Sequence, residues 1–290
     1  LELNALRAAQ IPATPPPPST SKEPKTGVSD VKPSPPKAKP ENRSSDPVEQ
    51  RRLDEPKLQE SDEMISAASG SGFFVSTDGH LITNNHVIEH CSQIKLKVNN
   101  SLVDALVVAR DKVNDLALLK TKTDKSIPIP MSRANPELLE DIYAAGFPFG
   151  DAINSAVKVT KGIVSSLSGM SNNFSNVQID AALQPGNSGG PIVDGYGNAV
   201  AVAVSKLDMK NVIRTYGVIP ENTNFGVKAT VVNNLLEAHG VKTATPGSNL
   251  LSGAELGRRI TSSTVHLSCL MTIAQIQEAK EKKVLFTDFD

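Results

Sequence analysis

The sequence predicts an all-β protein, either a barrel or a sandwich, behind an N-terminal segment that cannot build a core. Residues 1–60 contain 12 of the 20 prolines and none of the aromatic residues. Beyond residue 60, short apolar stretches alternate with turn residues at regular spacing, and only one stretch has a convincing helical pattern. The 230 residues that follow position 60 suffice for a hydrophobic core of normal size.

The N-terminal segment, residues 1–60, is predicted to be a disordered linker. Proline lacks an amide donor and fixes its own φ, so neither a helix nor a central strand can propagate through residues 12–60. The composition favours extended polyproline II backbone. A semi-rigid spacer is the favoured interpretation, and a docking site for an SH3-like domain at residues 15–18 or 33–36 is the alternative.

The predicted strands begin with a hairpin. Phe73 and Phe74 lead into an Asp78-Gly79 turn, after which residues 81–83 form the second strand. Residues 94–98 alternate between apolar and charged side chains, as a half-buried strand does. The remaining predicted strands cover residues 102–108, 116–119, 157–167, 177–179, 191–193, 199–204 and 265–270. Helices are predicted at residues 231–239, with Gly240 as the stop signal, and at residues 273–281.

Charge and composition exclude several classes of protein. The 30 basic and 31 acidic side chains nearly cancel, which argues against a nucleic-acid-binding protein held by phosphate contacts. No apolar run approaches the roughly 18 residues that a membrane-spanning helix needs. Neither the Cys-x-x-Cys nor the His-Glu-x-x-His spacing occurs, so the sequence predicts no metal site and implies no cofactor.

Three segments carry the residue types that nucleophilic catalysis needs. They contain His86, Asp115 and Ser188, in that order along the chain. A serine hydroxyl becomes a good nucleophile when a base removes its proton, and a histidine exchanges a proton near neutral pH. The histidine in turn needs a carboxylate that holds its tautomer. The glycines beside Ser188 let backbone amides approach a developing oxyanion. A phosphate-binding loop is excluded because Pro191 and a strand follow, where such a loop needs a lysine and a helix.

The blocks around these residues resemble the chymotrypsin-like serine endopeptidases, and among them the HtrA/Deg type. The resemblance covers about residues 69–240. The matching blocks, in the same order, are Gly70-Ser71-Gly72-Phe73, residues 83–87, Asn114-Asp115-Leu116-Ala117, Gly146-Phe147-Pro148, residues 162–165, residues 185–191 and residues 224–227.

This resemblance implies two six-stranded antiparallel β-barrels with the active site in the cleft between them. The barrels are expected over about residues 61–142 and 143–245, which together form a trypsin-like protease domain. Residues 246–290 are expected to be a C-terminal extension that is too short for the PDZ domain found in most HtrA-type proteins.

The same resemblance implies a role for each site residue. Ser188 would be the nucleophile, His86 the general base and then the general acid, and Asp115 the group that orients His86. The backbone N–H groups of Gly186 and Ser188 would form the oxyanion hole. Asn187 stands where zymogen-type proteases carry an aspartate that pairs with a new N-terminus, so activity is not expected to need a freed N-terminal amine.

Substrate binding is expected at Ala182, Val204, Ser205 and Asn224. Ala182 lies six residues before Ser188, where trypsin-type enzymes place an aspartate. Without that charge we expect small or medium apolar side chains, rather than Lys or Arg, in the primary pocket. Val204 and Ser205 would pair with the backbone of the substrate.

The implied function is that of a serine endopeptidase that hydrolyses peptide bonds in extended or unfolded proteins through an acyl-enzyme. Its partner is a polypeptide substrate, with no nucleic acid and no membrane span, and a homo-oligomer is left open. The alternative is a catalytically silent protease fold that binds peptides or acts like a chaperone. The resemblance also implies a periplasmic or secreted location, which favours a disulfide between Cys91 and Cys269 over two buried thiols.

Overall fold

The computed structural model describes residues 63–99, 101–123, 126–149, 156–204 and 223–287, with side chains described up to residue 281. The predicted linker over residues 1–60 lies outside these ranges. The strands are β1 (Met64–Phe74), β2 (His80–Thr83), β3 (Gln93–Val98), β4 (Ser101–Asp111), β5 (Leu116–Thr121), β6 (Asp141–Gly146), β7 (Lys158–Ser166), β8 (Asn176–Ile179), β9 (Pro191–Val193), β10 (Ala199–Val204), β11 (Asn224–Lys228) and β12 (Thr264–Thr272). The α-helices are α1 (Asn85–Ile88), α2 (Ala229–Ala238), α3 (Gly253–Ser263) and α4 (Ile273–Thr287).

Within the described residues, the strands form two closed antiparallel barrels of six strands each, which confirms the predicted fold class. The first barrel runs in the order β1, β12, β3, β4, β5, β2, and the second in the order β10, β11, β8, β7, β6, β9. Closure leaves no unpaired sheet edge in either barrel. Chain reversals at the barrel ends are therefore the places where functional side chains can converge.

The first barrel includes a strand from far along the chain. β12 lies between β1 and β3 and pairs antiparallel with both, with Phe73 opposite Thr264. Residues 246–290, expected as an extension beyond the second barrel, therefore supply a strand of the first barrel. The expected bounds of the first barrel, 61–142, omit this strand because strand pairing across 191 positions leaves no local pattern in the sequence.

The helices follow the sequence in part. Helix α2 confirms the predicted helix and starts two residues earlier, while α4 contains the predicted 273–281 segment. The sequence predictions do not include α3, because the glycines at positions 253 and 257 lower the helix propensity of this segment. A different signal marks its start: the Ser252 hydroxyl accepts a hydrogen bond from the Glu255 N–H, and the Glu255 carboxylate accepts one from the Ser252 N–H.

Three clusters of buried apolar side chains fill the structure. One lies inside the first barrel and includes Leu81 and Leu267, and one lies inside the second and includes Ile142 and Ile192. The third joins the two barrels and α2, with Phe73, Val202 and Val232 among its members. This shared core packs the two barrels against each other. None of the helices in the described ranges is long and apolar enough to cross a membrane.

Candidate active site

His86 and Asp115 form the centre of the candidate site. His86 lies in the single-turn helix α1, directly after β2, and Asp115 lies in the turn that precedes β5. The His86 Nδ1 atom is 2.6 Å from Asp115 Oδ2, and the His86 backbone N–H donates to Asp115 Oδ1 at 2.8 Å. Both carboxylate oxygens therefore contact the same histidine. An ionised carboxylate in this position requires a hydrogen on Nδ1, which leaves Nε2 as the acceptor.

The asparagines before His86 hold Asp115 in place. Asp115 has a φ of +54°, a region that few residues other than glycine adopt. Its carbonyl oxygen accepts one hydrogen bond from the Asn84 side-chain amide at 2.9 Å and another from the Asn85 N–H at 3.1 Å. These bonds keep the turn in its unusual conformation, so the Asn84-Asn85-His86 run fixes both partners of the histidine–carboxylate pair.

The turn that carries Ser188 packs against the strands that lead to His86. The Ser188 residue is 4% exposed, and its carbonyl oxygen accepts a hydrogen bond from the Ser71 N–H at 2.9 Å. A Cβ atom on Gly189 would lie 2.3 Å from Thr83 Oγ1 and 2.9 Å from the Asn84 nitrogen. Only glycine permits this close approach, which brings the Ser188 turn beside the residues that directly precede His86.

The Gly186 N–H is oriented by a neighbouring loop. The Pro185 carbonyl accepts a hydrogen bond from the Phe149 N–H at 2.8 Å. A trans peptide holds its C=O and N–H on opposite sides, so the Gly186 N–H is directed away from Phe149. Within the described ranges this N–H meets no acceptor of the protein. Gly186 has a φ of +101°, and a Cβ atom there would lie 2.3 Å from the Phe147 carbonyl oxygen, so the position requires glycine.

Comparison with known proteins identifies the class of this domain. Residues 70–202 match the trypsin-like peptidase domain family. The chain is 38% identical over 207 residues to an uncharacterized protein, y4bJ, of Sinorhizobium fredii, and 29% identical over 195 residues to the serine endoprotease DegS of Haemophilus influenzae. It is 38% identical over 139 residues to a probable periplasmic serine endoprotease, DegP-like, of Pseudomonas putida. The chain carries a trypsin-like serine protease domain of the HtrA/Deg type.

These similarities cover between 46% and 70% of this chain and a smaller share of each relative. The aligned regions include 70% of this chain for y4bJ, 65% for DegS and 46% for the DegP-like protein. They include 32%, 55% and 28% of those three relatives, respectively. The chain thus spans between about a quarter and about half of the length of these three relatives.

The described residues that are expected to bind substrate lie on three segments of the second barrel: the loop before Ser188, β10 and β11. Ala182 is exposed, and its carbonyl oxygen accepts a hydrogen bond from the Thr160 hydroxyl at 2.9 Å. The Asn224 side chain donates to the Ala181 carbonyl oxygen at 2.9 Å, so it braces the segment before Ser188. Val204 is the last residue of β10. Ser205 lies outside the described residues.

Several residues of this HtrA-type domain have contacts that bear on the site. Asn187 is 6% exposed, and its Oδ1 atom finds no hydrogen-bond donor in the described part of the chain. Asp180 accepts a hydrogen bond from the Ile163 N–H at 2.6 Å and so joins the segment before Ser188 to β7. A disulfide joins Cys91, three residues after α1, to Cys269 in β12. It connects the region next to His86 to the late strand of the first barrel.

Sequence reasoning missed two polar residues that hold loops near the site. Ser71 is fully buried and hydrogen-bonds to the second barrel through its hydroxyl. The Lys228 ammonium donates to the carbonyl oxygens of Leu167 and Phe174, at 2.7 and 2.9 Å. Burial lowers the pKa of Lys228. Ser71 lies inside a matching block and Lys228 directly follows one. The blocks therefore indicate that these regions matter, but they do not predict the contacts of the two side chains.

Proposed function

We propose that this HtrA-type domain is a serine endopeptidase that cleaves extended or unfolded polypeptides through an acyl-enzyme. The observation that carries the proposal is the double contact between Asp115 and His86, because it leaves the Nε2 atom as a base on the side away from the carboxylate. The Ser188 turn packs beside the residues that precede His86, which supports Ser188 as the nucleophile.

The reaction proceeds in two halves. His86 Nε2 takes the proton of the Ser188 hydroxyl as the Ser188 oxygen attacks the scissile carbonyl carbon. His86 then gives that proton to the leaving amine, the C–N bond breaks, and the acyl group remains on Ser188 as an ester. A water molecule gives a proton to His86 Nε2 as its oxygen attacks the carbonyl carbon of the ester. The C–O bond to Ser188 then breaks, His86 returns the proton to the Ser188 oxygen, and the second product leaves with a new carboxyl group. Asp115 stays ionised throughout and stabilises the imidazolium.

The oxyanion of each tetrahedral intermediate accepts hydrogen bonds from the Gly186 and Ser188 N–H groups in this proposal. Support comes from the orientation of the Pro185–Gly186 peptide, whose carbonyl is bound by Phe149 and therefore does not occupy the oxyanion hole. Preformed donors of this kind stabilise the developing charge without reorganisation. In proteases the loss of one such donor costs on the order of 10² to 10³ in turnover.

Primary specificity is proposed for small or medium apolar side chains. Ala182 supplies no carboxylate to bind Lys or Arg, and the Thr160 and Asn224 contacts hold the 181–182 backbone in place. Val204 and Ser205 would add a strand-like pairing with an extended substrate. Replacement of Ala182 by Asp is expected to shift cleavage towards Lys and Arg in a peptide library, and unchanged cleavage sites would refute this placement.

An extracytoplasmic location is part of the proposal. The DegP-like relative is named as periplasmic, and a disulfide such as Cys91–Cys269 persists in oxidising compartments. Thiol labelling of the protein in cell fractions tests this: an unreactive Cys91–Cys269 pair in the extracytoplasmic fraction is expected, and reduced protein in the cytoplasm would contradict it.

Hydrolysis of unfolded casein tests the function. The wild-type domain is expected to cleave casein and to leave native folded proteins largely intact, while Ser188→Ala abolishes cleavage and melts at the same temperature. The rival hypothesis, a catalytically silent module that binds peptides or acts like a chaperone, predicts that wild type and Ser188→Ala bind casein equally and cleave none.

A further inference from the structure

We propose that Ser71 is a positioning residue that holds the oxyanion loop, here residues 184–188, in its active conformation. The inference rests on the proposed function and adds to it a residue of the first barrel. Ser71 lies on β1 and is fully buried. The sequence distances to its hydroxyl partners, 115 and 76 positions, show that it joins parts of the chain that lie far apart.

The Ser71 hydroxyl bridges two segments of the second barrel. It donates to the Gly186 carbonyl oxygen at 2.7 Å and accepts from the Phe147 N–H at 2.9 Å. A hydroxyl can do both at once, whereas a methyl group can do neither. Both bonds have the usual length for their type, and Ser71 has no exposure to water that could replace them.

These two bonds act on both peptide planes that flank Gly186. The Gly186 carbonyl belongs to the peptide that follows, and Ser71 holds it directly. The preceding peptide is held through the Pro185 carbonyl by the Phe149 N–H, two residues after the Phe147 that Ser71 also binds. Glycine adopts many backbone conformations with little penalty, so at a φ of +101° external bonds must select one. Ser71 contributes to that selection on both sides.

The backbone of Ser71 contacts the nucleophile's own turn. Its N–H donates to the Ser188 carbonyl at 2.9 Å, and its carbonyl oxygen accepts from the Thr83 hydroxyl at 2.7 Å. A Cβ atom on Gly189 would lie 2.2 Å from that carbonyl oxygen. The first barrel therefore hydrogen-bonds to both residues that supply the oxyanion donors. The Ser71 hydroxyl provides the side-chain bond, and the Ser71 N–H provides the backbone bond.

Ser71→Ala is expected to lower kcat by about 10- to 100-fold, less than the loss of a whole donor, with little change in KM. Substrate binding is expected to be retained because the hydrogen bonds of Ser71 go to residues 83, 147, 186 and 188 and not to positions 182 and 204. The oxyanion loop of the variant is expected to sample other conformations. A peptide boronate, whose tetrahedral adduct places an oxygen in the oxyanion hole, should lose affinity by a similar factor. The same peptide with the boronic acid replaced by hydrogen, which forms no adduct and places no oxygen in the oxyanion hole, should bind as before.

The matched control is Thr121→Val. Thr121 is 2% exposed on β5, and its hydroxyl donates to the Asp104 carbonyl oxygen at 2.7 Å, so this variant also deletes a buried hydroxyl–carbonyl bond of the first barrel. It is expected to melt at a lower temperature with unchanged kcat and boronate affinity. A loss of kcat and boronate affinity in Ser71→Ala that Thr121→Val does not share separates positioning from stability.

Ser71→Cys covers the case in which Ser71→Ala fails to fold, because a thiol fills the site while donating only weakly. Its kcat is expected to lie between those of wild type and Ser71→Ala. The inference is overturned if every Ser71 variant that folds keeps the wild-type kcat and boronate affinity, while the wild-type protein is labelled by a fluorophosphonate. Where Ser71→Ala does not fold, Ser71→Cys alone decides. A wild-type domain that is neither labelled nor active contradicts the proposed function instead.

Discussion

Asp115 combines an unusual backbone conformation with two contacts to one histidine. A non-glycine residue at positive φ costs on the order of 1 kcal/mol, and here the bonds from Asn84 and Asn85 to its carbonyl offset that cost. The conformation aims both carboxylate oxygens at His86. Strain of this kind persists where the surrounding structure fixes it, and it is concentrated at functional sites.

Asp115→Asn is expected to keep the fold and to lower turnover by on the order of 10⁴. Asparagine tolerates positive φ, and its oxygen can still accept from the His86 N–H. Its amide, however, would point a donor at Nδ1, so the hydrogen moves to Nε2 and the base is lost. Steady-state kinetics with a casein substrate measures the effect, with the exposed Asp141→Asn as control. Near-normal turnover of Asp115→Asn would contradict the proposed catalytic role of Asp115.

The contact between His86 and Asp115 is predictable from the sequence, because each residue stands in a short block that matches the chymotrypsin-like proteases in order and spacing. It does not supply Ser71, whose hydroxyl partners are two backbone groups far away in the sequence. Every residue has a backbone carbonyl and almost every residue has a backbone N–H, so no pattern of side chains predicts which of them Ser71 binds. Asn224 shows the same limit: the sequence marks it for substrate, and the structure uses its amide to brace Ala181.

The turn between β1 and β2 shows a cluster of charges away from the site. Asp78 accepts hydrogen bonds from Ser76 and from the Lys120 ammonium, the latter at 2.7 Å, and lies 3.0 Å from His80 Nδ1. The Lys120 bond, followed by the Ser76 and His80 contacts, holds the pKa of Asp78 well below its usual range. The cluster joins the hairpin turn to β5, the next strand of the barrel.

Asp78→Asn is expected to lower the free energy of unfolding at pH 7, and the difference from wild type should vanish in acid. A carboxyl whose pKa is lower in the folded state stabilises the fold fully above its unfolded pKa, near 3.9, and loses that contribution as the pH falls from there through its lower, folded pKa. Because the side chain is 61% exposed, the effect at pH 7 is below about 1 kcal/mol.

Urea unfolding at pH 7 and at pH 3 measures this difference, with the exposed Glu89→Gln as the control variant. A difference between Asp78→Asn and wild type that is as large at pH 3 as at pH 7 would show that the charge of Asp78 does not stabilise the turn.

Strands, helices and loops differ in how well the sequence predicts them. The hairpin of β1 and β2 follows from an Asp-Gly turn between apolar runs. Helix α2 follows from the apolar residues at positions 231, 232, 235, 236 and 238, which roughly fit one helical face and of which Val232 and Leu236 are buried. The loop between β7 and β8 does not, because its shape depends on a lysine more than fifty residues later, Lys228, that binds two of its carbonyls.

At the scale of the whole molecule, β12 and the disulfide tie the late part of the chain to the candidate site. β12 completes the first barrel, and its Cys269 is bonded to Cys91 across 178 positions. The ring of His266, also in β12, lies edge-on to Phe147 with 5.5 Å between ring centroids. The strand therefore touches both the region after α1 and the loop whose Phe149 N–H binds the Pro185 carbonyl oxygen.

Loss of the disulfide is expected to lower the free energy of unfolding by up to about 5 kcal/mol, the value that the chain-entropy relation gives for a closed loop of this length. Urea unfolding of wild type with and without dithiothreitol measures the effect. The Cys91→Ala/Cys269→Ala double variant serves as control, because its stability should equal that of the reduced protein and should not respond to the reductant. Equal stability of the oxidised and reduced proteins would contradict the expectation.

Some features of the whole fold are therefore predictable from the sequence and others are not. The number and type of barrels follow from the strand pattern together with the resemblance, since both describe local segments in order. The closure of the first barrel by β12 does not follow, because the pairing partner of a strand is set by three-dimensional packing and not by its neighbours in sequence.

Labelling with a fluorophosphonate probe tests the central claim most directly, because the probe reacts only with a serine that a neighbouring base activates. The account predicts one probe per domain, located on Ser188 by peptide mass spectrometry, slower labelling of Asp115→Asn and none of Ser188→Ala. A folded wild-type domain that stays unlabelled under conditions that label trypsin, or an adduct on another residue, would contradict it.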